Sequence, residues 1–566
     1  MKHRRPRGRQ RGLARAVARH LSLALVYLSA LVLADRAVAE DAVDPMESLL
    51  RGEFALQEGR TADAADLYAE AALTSTDPRV LERAAKLALL RKDGERAARL
   101  LQRWRELEPD SREAVQLALS LALQAGDAAA AEAAVDALLA SEEGWKRVVQ
   151  ALAGEPGSLL VPVLLQRLPD REPIAAQLDA LLAVGSLADR LALEGVRRRI
   201  AELAVERHPE RARAWLWRAD VLRRSGEAEA AKEAVRQALT RTDLDQELRS
   251  VAAGMLARLG ENQAAAAVLA EGTQDDATLA ARAALLSRAE DREGLAALYA
   301  DLAAGEAGTR SPARIFLLGQ LAEWLERPDE ALTWYRSLPE GSEADQAQLR
   351  IAIVLDQQGR HEAAVGTLRK LQERDTEDGR LLIDAYLLEA QLLERHRNQE
   401  QAIETYTRGL SVFEDEPALL YGRALALERL KRFDAAEADL RLILMQDPSH
   451  ADALNALGYM LAERGVRLAE AEELIRKALE HRPEQPAILD SLGWVLFRQG
   501  KAEEALPPLR RAFELQPDPE VAAHLGEVLW ALGQKDEARG IWRRGLELDR
   551  DHEVLRGTLE RHGERP

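Results

Sequence analysis

Cysteine is absent from all 566 residues of the chain. Its absence excludes disulfides, thiolate nucleophiles, thiolate zinc sites and any cysteine-linked lipid anchor. Aromatic residues are scarce at 4%, and the chain contains only 35 glycines and 21 prolines. Alanine, leucine, glutamate and arginine dominate what remains, which is typical of a nearly all-helical chain. Helical repeats can extend over such a length as a continuous array.

Charge is distributed unevenly along the chain. Residues 1–39 contain nine Lys or Arg and one acid, which gives this segment a net charge of +8. The whole chain carries −18 at pH 7, so residues 40–566 carry −26. Nonspecific binding to nucleic acid needs clustered cations against phosphate. The sequence therefore predicts no nucleic-acid partner.

The N-terminal segment has the layout of a secretory signal peptide. Basic residues crowd positions 2–19, the apolar stretch Leu21–Ala34 follows, and Ala37-Val38-Ala39 provides a small-x-small cleavage site. A membrane span needs about 20 apolar residues, and this stretch is shorter. We expect cleavage after Ala39 and export to a bacterial periplasm. An uncleaved signal anchor remains the alternative, and outer-membrane association is left open.

A repeat of about 34 residues fills the rest of the chain. In the unit Pro486–Pro517, small residues stand at position 8 (Gly493) and position 20 (Ala505), where two helices would cross. Gly500 at position 15 permits a tight turn, and the large Leu509 stands at position 24. One such hairpin cannot bury its apolar face alone, so copies must stack. This is the tetratricopeptide-repeat pattern.

The repeats predict an all-α superhelical solenoid of about eleven to thirteen helix-turn-helix units. We divide the chain into a signal peptide at 1–39, an N-terminal repeat array at 40–140 and a C-terminal array at 210–566. Residues 141–209 break the register but keep a helical period, which predicts an irregular helical linker. By position count, Trp104, Tyr335 and Trp542 are predicted to lie in the core.

No sequence motif indicates catalysis. His361-Glu362 begins like a zinc-protease motif, but Val365 stands where the second histidine is required. No phosphate-binding loop, nucleophile elbow or dinucleotide fingerprint occurs, and acidic pairs such as Glu503-Glu504 are interpreted as solvated faces. An enzyme would need a catalytic domain, and residues 141–209, the only part of the chain outside the repeats, are too few to form one. The sequence predicts a non-enzyme without cofactor or metal site.

Pro507-Pro508 falls inside the predicted second helix of its repeat. Proline in a helix interior removes a backbone hydrogen bond. We expect the helix to start late, near Pro507, and a functional kink is the alternative.

A concave binding groove can be predicted from repeat position, because first-helix side chains at positions 2, 5, 9, 12 and 13 point into it. Aromatic residues at such positions are not needed for folding, and large rings often anchor interfaces. An acidic groove with aromatics would suit a basic or apolar extended peptide. Packing of the rings on neighbouring repeats remains the alternative. The predicted groove residues are Tyr421, Asn455, Tyr459, Asp490, Trp494, Phe497, Arg498, Glu527 and Trp530.

Three C-terminal motifs resemble one particular family. They are Leu454–Gly465, Pro486–Gly500 and Pro519–Gly533. They are similar to those of the proteobacterial tetratricopeptide-repeat lipoprotein that partners a periplasmic carboxyl-terminal processing protease. The resemblance implies a non-catalytic adaptor that binds this serine protease and its substrates, notably peptidoglycan hydrolases, and so promotes their degradation.

One departure from that family concerns the membrane anchor. The family carries a lipobox cysteine, whereas Leu33-Ala34-Asp35 stands at the corresponding place in this chain. We therefore expect no lipid attachment. The other function left open is a scaffold for envelope machinery, such as polysaccharide export or pilus assembly.

Overall fold

The computed structural model describes residues 45–305, 310–374, 376 and 378–564. These residues form 32 α-helices and one 3-10 turn, with no strand in the described ranges. The all-α solenoid predicted from the sequence is confirmed. The predicted signal peptide at 1–39 lies outside the described residues. No helix in the described ranges has both the length and the apolar character needed to cross a bilayer.

The chain divides into two compact units between Glu261 and Asn262. Most helices of the first unit are 11–14 residues long, and the shorter ones fall within the segment predicted as an irregular linker. Its helices are α1 (Pro45–Gln57), α2 (Thr61–Thr74), α3 (Pro78–Leu90), α4 (Gly94–Leu107), α5 (Arg112–Ala125), α6 (Ala128–Leu139), α7 (Gly144–Gly154), α8 (Leu160–Arg167), α9 (Glu172–Ala175), α10 (Leu178–Arg190), α11 (Glu194–Arg207), α12 (Ala212–Arg224), α13 (Ala228–Leu239) and α14 (Gln246–Arg258).

The second unit continues the pattern of helical hairpins joined by short turns. Its helices are α15 (Asn262–Ala270), α16 (Asp276–Arg288), α17 (Arg292–Ala304), α18 (Pro312–Trp324), α19 (Pro328–Arg336), α20 (Ser342–Gln357), α21 (His361–Gln372), α22 (Gly379–Arg395), α23 (Gln399–Val412), α24 (Pro417–Arg429), α25 (Phe433–Gln446), α26 (Ala451–Glu463), α27 (Leu468–His481), α28 (Pro486–Arg498), α29 (Ala502–Leu515), α30 (Pro519–Ala531), α31 (Lys535–Leu548) and α32 (Glu553–Arg561).

Local sequence explains where the helices begin and end. Asp93 caps the start of α4 by accepting a hydrogen bond from the Arg96 amide, and Ser111 does the same for α5. Proline occupies the first position of α28, where no helical partner for its nitrogen is required. Gly500, with φ at +82°, makes the tight turn between α28 and α29.

The small residues predicted at the helix crossings lie there. A Cβ atom on Gly493 would be 2.3 Å from Cγ of Leu509 and 3.0 Å from the carbonyl oxygen of Ala505. At the matching place one repeat later, a Cβ on Gly526 would be 2.0 Å from Nε1 of Trp542. In these two repeats the first helix can therefore approach the second helix closely only because no side chain intervenes.

The core residues predicted by position count are confirmed. Trp104, Tyr335 and Trp542 retain 2%, 1% and 1% of their surface exposed. Each lies on the second helix of its repeat and fills the space beside a crossing. A large aromatic side chain buries roughly 150–250 Å², which at about 25 cal/mol per Å² contributes roughly 4–6 kcal/mol.

The expected late start of the helix at Pro507 is wrong. Helix α29 begins at Ala502 and contains both Pro507 and Pro508 in its interior. Neither proline nitrogen can donate a helical hydrogen bond. The free-energy cost of these missing hydrogen bonds is offset by packing, because Ala505, Leu509 and Phe513 on the same helix are buried.

Candidate functional site

A pocket of about 310 Å³ opens on the first helices of four successive repeats in the second unit. Helices α24, α26, α28 and α30 contribute its walls because first helices stack side by side in the repeat array. We call it the acidic pocket, because its lining includes four carboxylates and, among the described residues that line it, no Lys, Arg or His. The carboxylates belong to Glu428, Asp490, Asp518 and Glu520.

Two tyrosines, Tyr421 and Tyr459, line the pocket. The Tyr459 hydroxyl donates a 2.6 Å hydrogen bond to Oε1 of Glu520, two repeats further along the chain. Burial and the nearby carboxylate raise the pKa of Tyr459 above its usual range, so the hydroxyl keeps its proton. Burial likewise raises the pKa of Tyr421. Each phenol thus gives the pocket an apolar ring face beside an acidic rim.

Glu428 is a carboxylate of this pocket with a raised pKa. Burial raises its pKa to about 6, and the charge of Glu520 acts in the same direction against the opposing pull of Arg429. Oδ1 of Asn455, on the next first helix, is buried and has no hydrogen-bond partner among the described residues. A cation or a hydrogen-bond donor from a ligand would satisfy both groups.

A buried ion pair lies behind the pocket wall. Nδ1 of His524 is 2.9 Å from Oδ2 of Asp490, and both side chains are almost fully buried. Burial lowers the pKa of His524, but the Asp490 carboxylate outweighs it and the net pKa is raised. The pair therefore joins α28 to α30 by a buried hydrogen bond between the two side chains.

The structure buries Trp494 instead of exposing it. Its ring stacks on the His524 imidazole with 4.1 Å between centroids and an angle of 19°. Its Nε1 donates a 2.8 Å hydrogen bond to Oε2 of Glu463, and only 6% of the residue is exposed. The expectation of a solvent-facing ring at this position is wrong, because the next repeat places a flat histidine against it. Asp490 is also buried, although one edge reaches the pocket.

Phe497 and Arg498 adjoin Trp494 and lie outside the pocket lining. The Phe497 ring lies 5.6 Å from that of Trp494. Arg498 donates a 2.8 Å hydrogen bond to the carbonyl oxygen of Glu463, and its guanidinium lies 5.6 Å above the Trp494 ring. Both residues are half-buried. They support the tryptophan and present only part of their surface to solvent.

The last two predicted groove residues belong to a separate cluster on the final repeats. Glu527 accepts a 3.0 Å hydrogen bond from Nη2 of Arg561. The Trp530 ring lies 5.5 Å from Trp542 and 5.2 Å from His562, and the Lys535 ammonium covers it at 4.6 Å. Of the nine predicted residues, the structure thus gathers Tyr421, Asn455, Tyr459 and Asp490 in one pocket.

Sequence reasoning missed Glu428 and Glu520, although the signal was available. Counting from the small residue at position 8, Glu428 falls at position 12 and Glu520 at position 2, both of which are groove positions. The prediction of the groove relied mainly on aromatic rings and therefore did not include these two acids. His524 falls at position 6, so only its three-dimensional pairing with Asp490 reveals it.

Comparisons with known proteins match the repeat assignment. Residues 198–241, 387–450, 440–486 and 491–552 match the tetratricopeptide repeat family, and residues 346–376 match a second tetratricopeptide repeat family. A TPR repeat-containing protein of Pseudomonas aeruginosa is 40% identical over 208 residues, which are 37% of this chain and 35% of that protein. Protein POLLENLESS 3-LIKE 2 of Arabidopsis thaliana is 26% identical over 185 residues.

The chain spans 35% and 40% of the length of these two curated relatives. Among solved structures, a tetratricopeptide repeat protein from Parabacteroides merdae is 16% identical with a TM-score of 0.37, covering 44% of this chain and 97% of that one. Such a low score supplies no functional argument. Its all-helical fold and these matched segments show that the chain contains tetratricopeptide repeats.

Proposed function

We propose that the chain is a non-catalytic adaptor that holds an extended, basic segment of a partner protein in the acidic pocket. Tetratricopeptide repeats are protein–protein interaction scaffolds, which supports the general role. The observation that carries the specific role is a pocket with two tyrosine rings, four carboxylates and no lining cation among its described residues. This combination favours a lysine or arginine side chain with an apolar stem.

The charge of the surroundings supports this choice of ligand. Residues 40–566 carry a large net negative charge, so they attract a basic segment electrostatically at long range. Within the pocket, the guanidinium of an arginine would lie beside Glu428, and its planar face could rest on a tyrosine ring. An acidic partner segment would meet four carboxylates and be repelled.

The partner that we propose is a periplasmic carboxyl-terminal processing protease, with peptidoglycan hydrolases as its substrates. The support is the resemblance carried by the segments Leu454–Gly465, Pro486–Gly500 and Pro519–Gly533. These segments supply Asn455 and Asp490 to the acidic pocket, together with Tyr459 and Glu520. The segments that resemble the family thus supply most of the pocket lining, whereas Tyr421 and Glu428 come from α24. Export by the N-terminal segment belongs to the same proposal.

The test uses the purified full chain and the processing protease of the same bacterium, measured by biolayer interferometry and by degradation of a hydrolase substrate. We expect Asn455→Arg, which places a competing cation in the pocket, to weaken binding of the protease or its substrate at least about tenfold. Gln401→Arg adds the same charge to the exposed side of α23 and serves as the control.

Two results would count against the proposal. The first is that the wild-type chain neither binds the protease or the hydrolase nor accelerates degradation of the hydrolase when the three are mixed. The other is equal binding by Asn455→Arg and Gln401→Arg, which would remove the acidic pocket from the interface while leaving the adaptor role to another surface. Circular dichroism of both variants verifies that their helices are retained.

A further inference from the structure

Two histidines and an aspartate converge at the turns of two successive repeats in the second unit. Asp356 lies at the end of α20, His361 begins α21, and His396 directly follows α22. Nδ1 of His361 is 2.6 Å from Oδ1 of Asp356, and Nε2 of His396 is 2.8 Å from the same oxygen. The ligand-type atoms of all three side chains lie within 4.8 Å of one another.

From this geometry we infer that Asp356, His361 and His396 form a binding site for one Zn²⁺ ion. Zinc prefers imidazole nitrogen and carboxylate oxygen as ligands, and three protein ligands with an open fourth position are a common arrangement. The ligands come from α20, from α21 and from the residue that follows α22, so a bound ion would join both helices of one repeat to the next repeat. The site is independent of the proposed acidic pocket.

The dimensions of the cluster suit a tetrahedral ion after a small adjustment. Zinc–ligand bonds of about 2.0–2.1 Å place tetrahedral ligands roughly 3.3 Å apart, so each imidazole must retreat by about 0.5–0.7 Å from the carboxylate oxygen. The His361 and His396 side chains are 43% and 32% exposed, and they can move outward. Asp356 is 6% exposed and stays fixed as the inner ligand.

The surroundings of Asp356 resemble the outer shell of a metal site. Nη1 of Arg395 donates a 2.8 Å hydrogen bond to Oδ2 of Asp356 and leaves Oδ1 to the two imidazoles. Ligating carboxylates are commonly held by such a second hydrogen bond, which fixes their orientation. Arg395 is therefore a positioning residue. Gly359, with φ at +75°, makes the turn that brings His361 back towards Asp356.

The sequence alone does not show that Asp356, His361 and His396 form a cluster. His361 and His396 are 35 positions apart, which is about one repeat length. Stacking of successive repeats converts that separation into contact, and the two imidazole centroids lie 3.6 Å apart. A search for short metal motifs cannot find such a pair, whereas a search at the repeat period can.

The test uses the untagged full chain, stripped with EDTA and titrated first with Co²⁺ as a spectroscopic probe. We expect one Co²⁺ per chain to give visible ligand-field absorption, and one equivalent of Zn²⁺ to displace it. Saturating Zn²⁺ should raise Tm by roughly 5 °C, since an ion that binds only the folded state stabilises it. The absence of a saturable one-to-one signal would overturn the inference.

Variants separate this site from incidental binding. His361→Gln and His396→Gln should each weaken Zn²⁺ affinity at least about tenfold, since each removes one of three ligands. His481→Gln removes an exposed histidine at the end of α27 and should leave affinity unchanged. An unchanged Co²⁺ spectrum in the His361→Gln/His396→Gln double variant would show that the ion binds elsewhere and would refute the assignment.

Discussion

At the scale of single residues, Trp494 shows how a groove position becomes part of the core. Position 9 of an average repeat faces the groove, and a large ring there suggests a ligand surface. Here the following repeat carries His524, which stacks on the indole and is held by Asp490. Whether the Trp494 ring is buried or exposed thus depends on the identity of a residue 30 positions further along the chain.

Burial of this ring predicts a large stability loss when it is removed. We expect Trp494→Ala to lower the free energy of unfolding by roughly 3–5 kcal/mol, because the variant leaves a cavity and an unpaired Glu463 contact. Urea unfolding followed by circular dichroism measures this change. Trp324→Ala is the control, since Trp324 is 39% exposed and should cost less than about 1 kcal/mol. Similar losses for the two variants would contradict the burial of Trp494.

Glu428 predicts a pH dependence of stability with a defined sign. Its pKa rises from 4.5 to about 6 on folding, mainly through burial, so the folded state prefers the protonated acid. The stability it contributes is complete below about pH 4.5 and is lost as the pH rises through about 6. Glu428→Gln should therefore match wild type at pH 4.5 and exceed it by about 1 kcal/mol at pH 7.5.

Urea titrations at the two pH values measure this difference. Glu473→Gln, on the exposed face of α27, is a control of opposite sign, because the Lys477 ammonium 2.8 Å away lowers the pKa of Glu473. A Glu428→Gln variant that is less stable than wild type at pH 7.5 would show that the charged carboxylate is stabilised in the pocket.

At the scale of helices, two helical glycines with different surroundings predict opposite effects of substitution by alanine. A Cβ on Gly493 would overlap Leu509, so Gly493→Ala should destabilise the protein by roughly 1–3 kcal/mol. Gly540 lies within α31, where a Cβ meets nothing within 4 Å. Gly540→Ala should therefore stabilise by about 0.5–1 kcal/mol through helix propensity alone. Thermal melts of both variants give the comparison, and a neutral Gly493→Ala would mean that the crossing can widen.

Helices and crossings could be predicted because the repeat encodes them locally. Gly493 and Gly526 are small for the same steric reason, and Gly500 adopts the left-handed conformation that its turn requires. The proline pair at Pro507 could not be placed by the same rules. Propensity argues for a helix end there, but burial of Leu509 and its neighbours outweighs the lost hydrogen bonds.

The candidate site was predictable only where repeat position alone determines exposure. Tyr421, Asn455 and Tyr459 line the acidic pocket as their positions indicate. The contact of Tyr459 with Glu520 spans 61 residues, and only stacked helices bring the two together. The cluster of His361 and His396 is also a product of stacking, since neither residue lies in a recognisable motif.

At the scale of the whole chain, ion pairs between neighbouring repeats are frequent but weak. Arg429 pairs with Glu394 at 2.6 Å, and Arg482 pairs with Asp452 at 2.7 Å, each about one repeat away in sequence. Exposed pairs of this kind contribute about 0–1 kcal/mol each. Apolar burial between repeats is therefore the main source of stability, and the ion pairs serve mainly to favour the correct register.

The division between Glu261 and Asn262 was not foreseen from the sequence. The repeat period runs through this point, and the expected irregular linker at 141–209 lies well before it within the first unit. Periodicity reports which hairpins form, whereas a compact unit depends on how densely those hairpins pack. No local change in composition at Glu261 or Asn262 signals the boundary.

Stacked repeats contact chiefly their neighbours, so damage to one repeat should remain local. We expect Gly493→Ala to accelerate amide hydrogen exchange in α26–α31 and to leave the first unit at wild-type rates. Leu181→Ala removes a fully buried side chain from α10 and should give the opposite pattern. Exchange measured by mass spectrometry distinguishes the two maps, because each repeat yields separate peptides. Uniform acceleration along the chain for either variant would mean that both units unfold as one cooperative body.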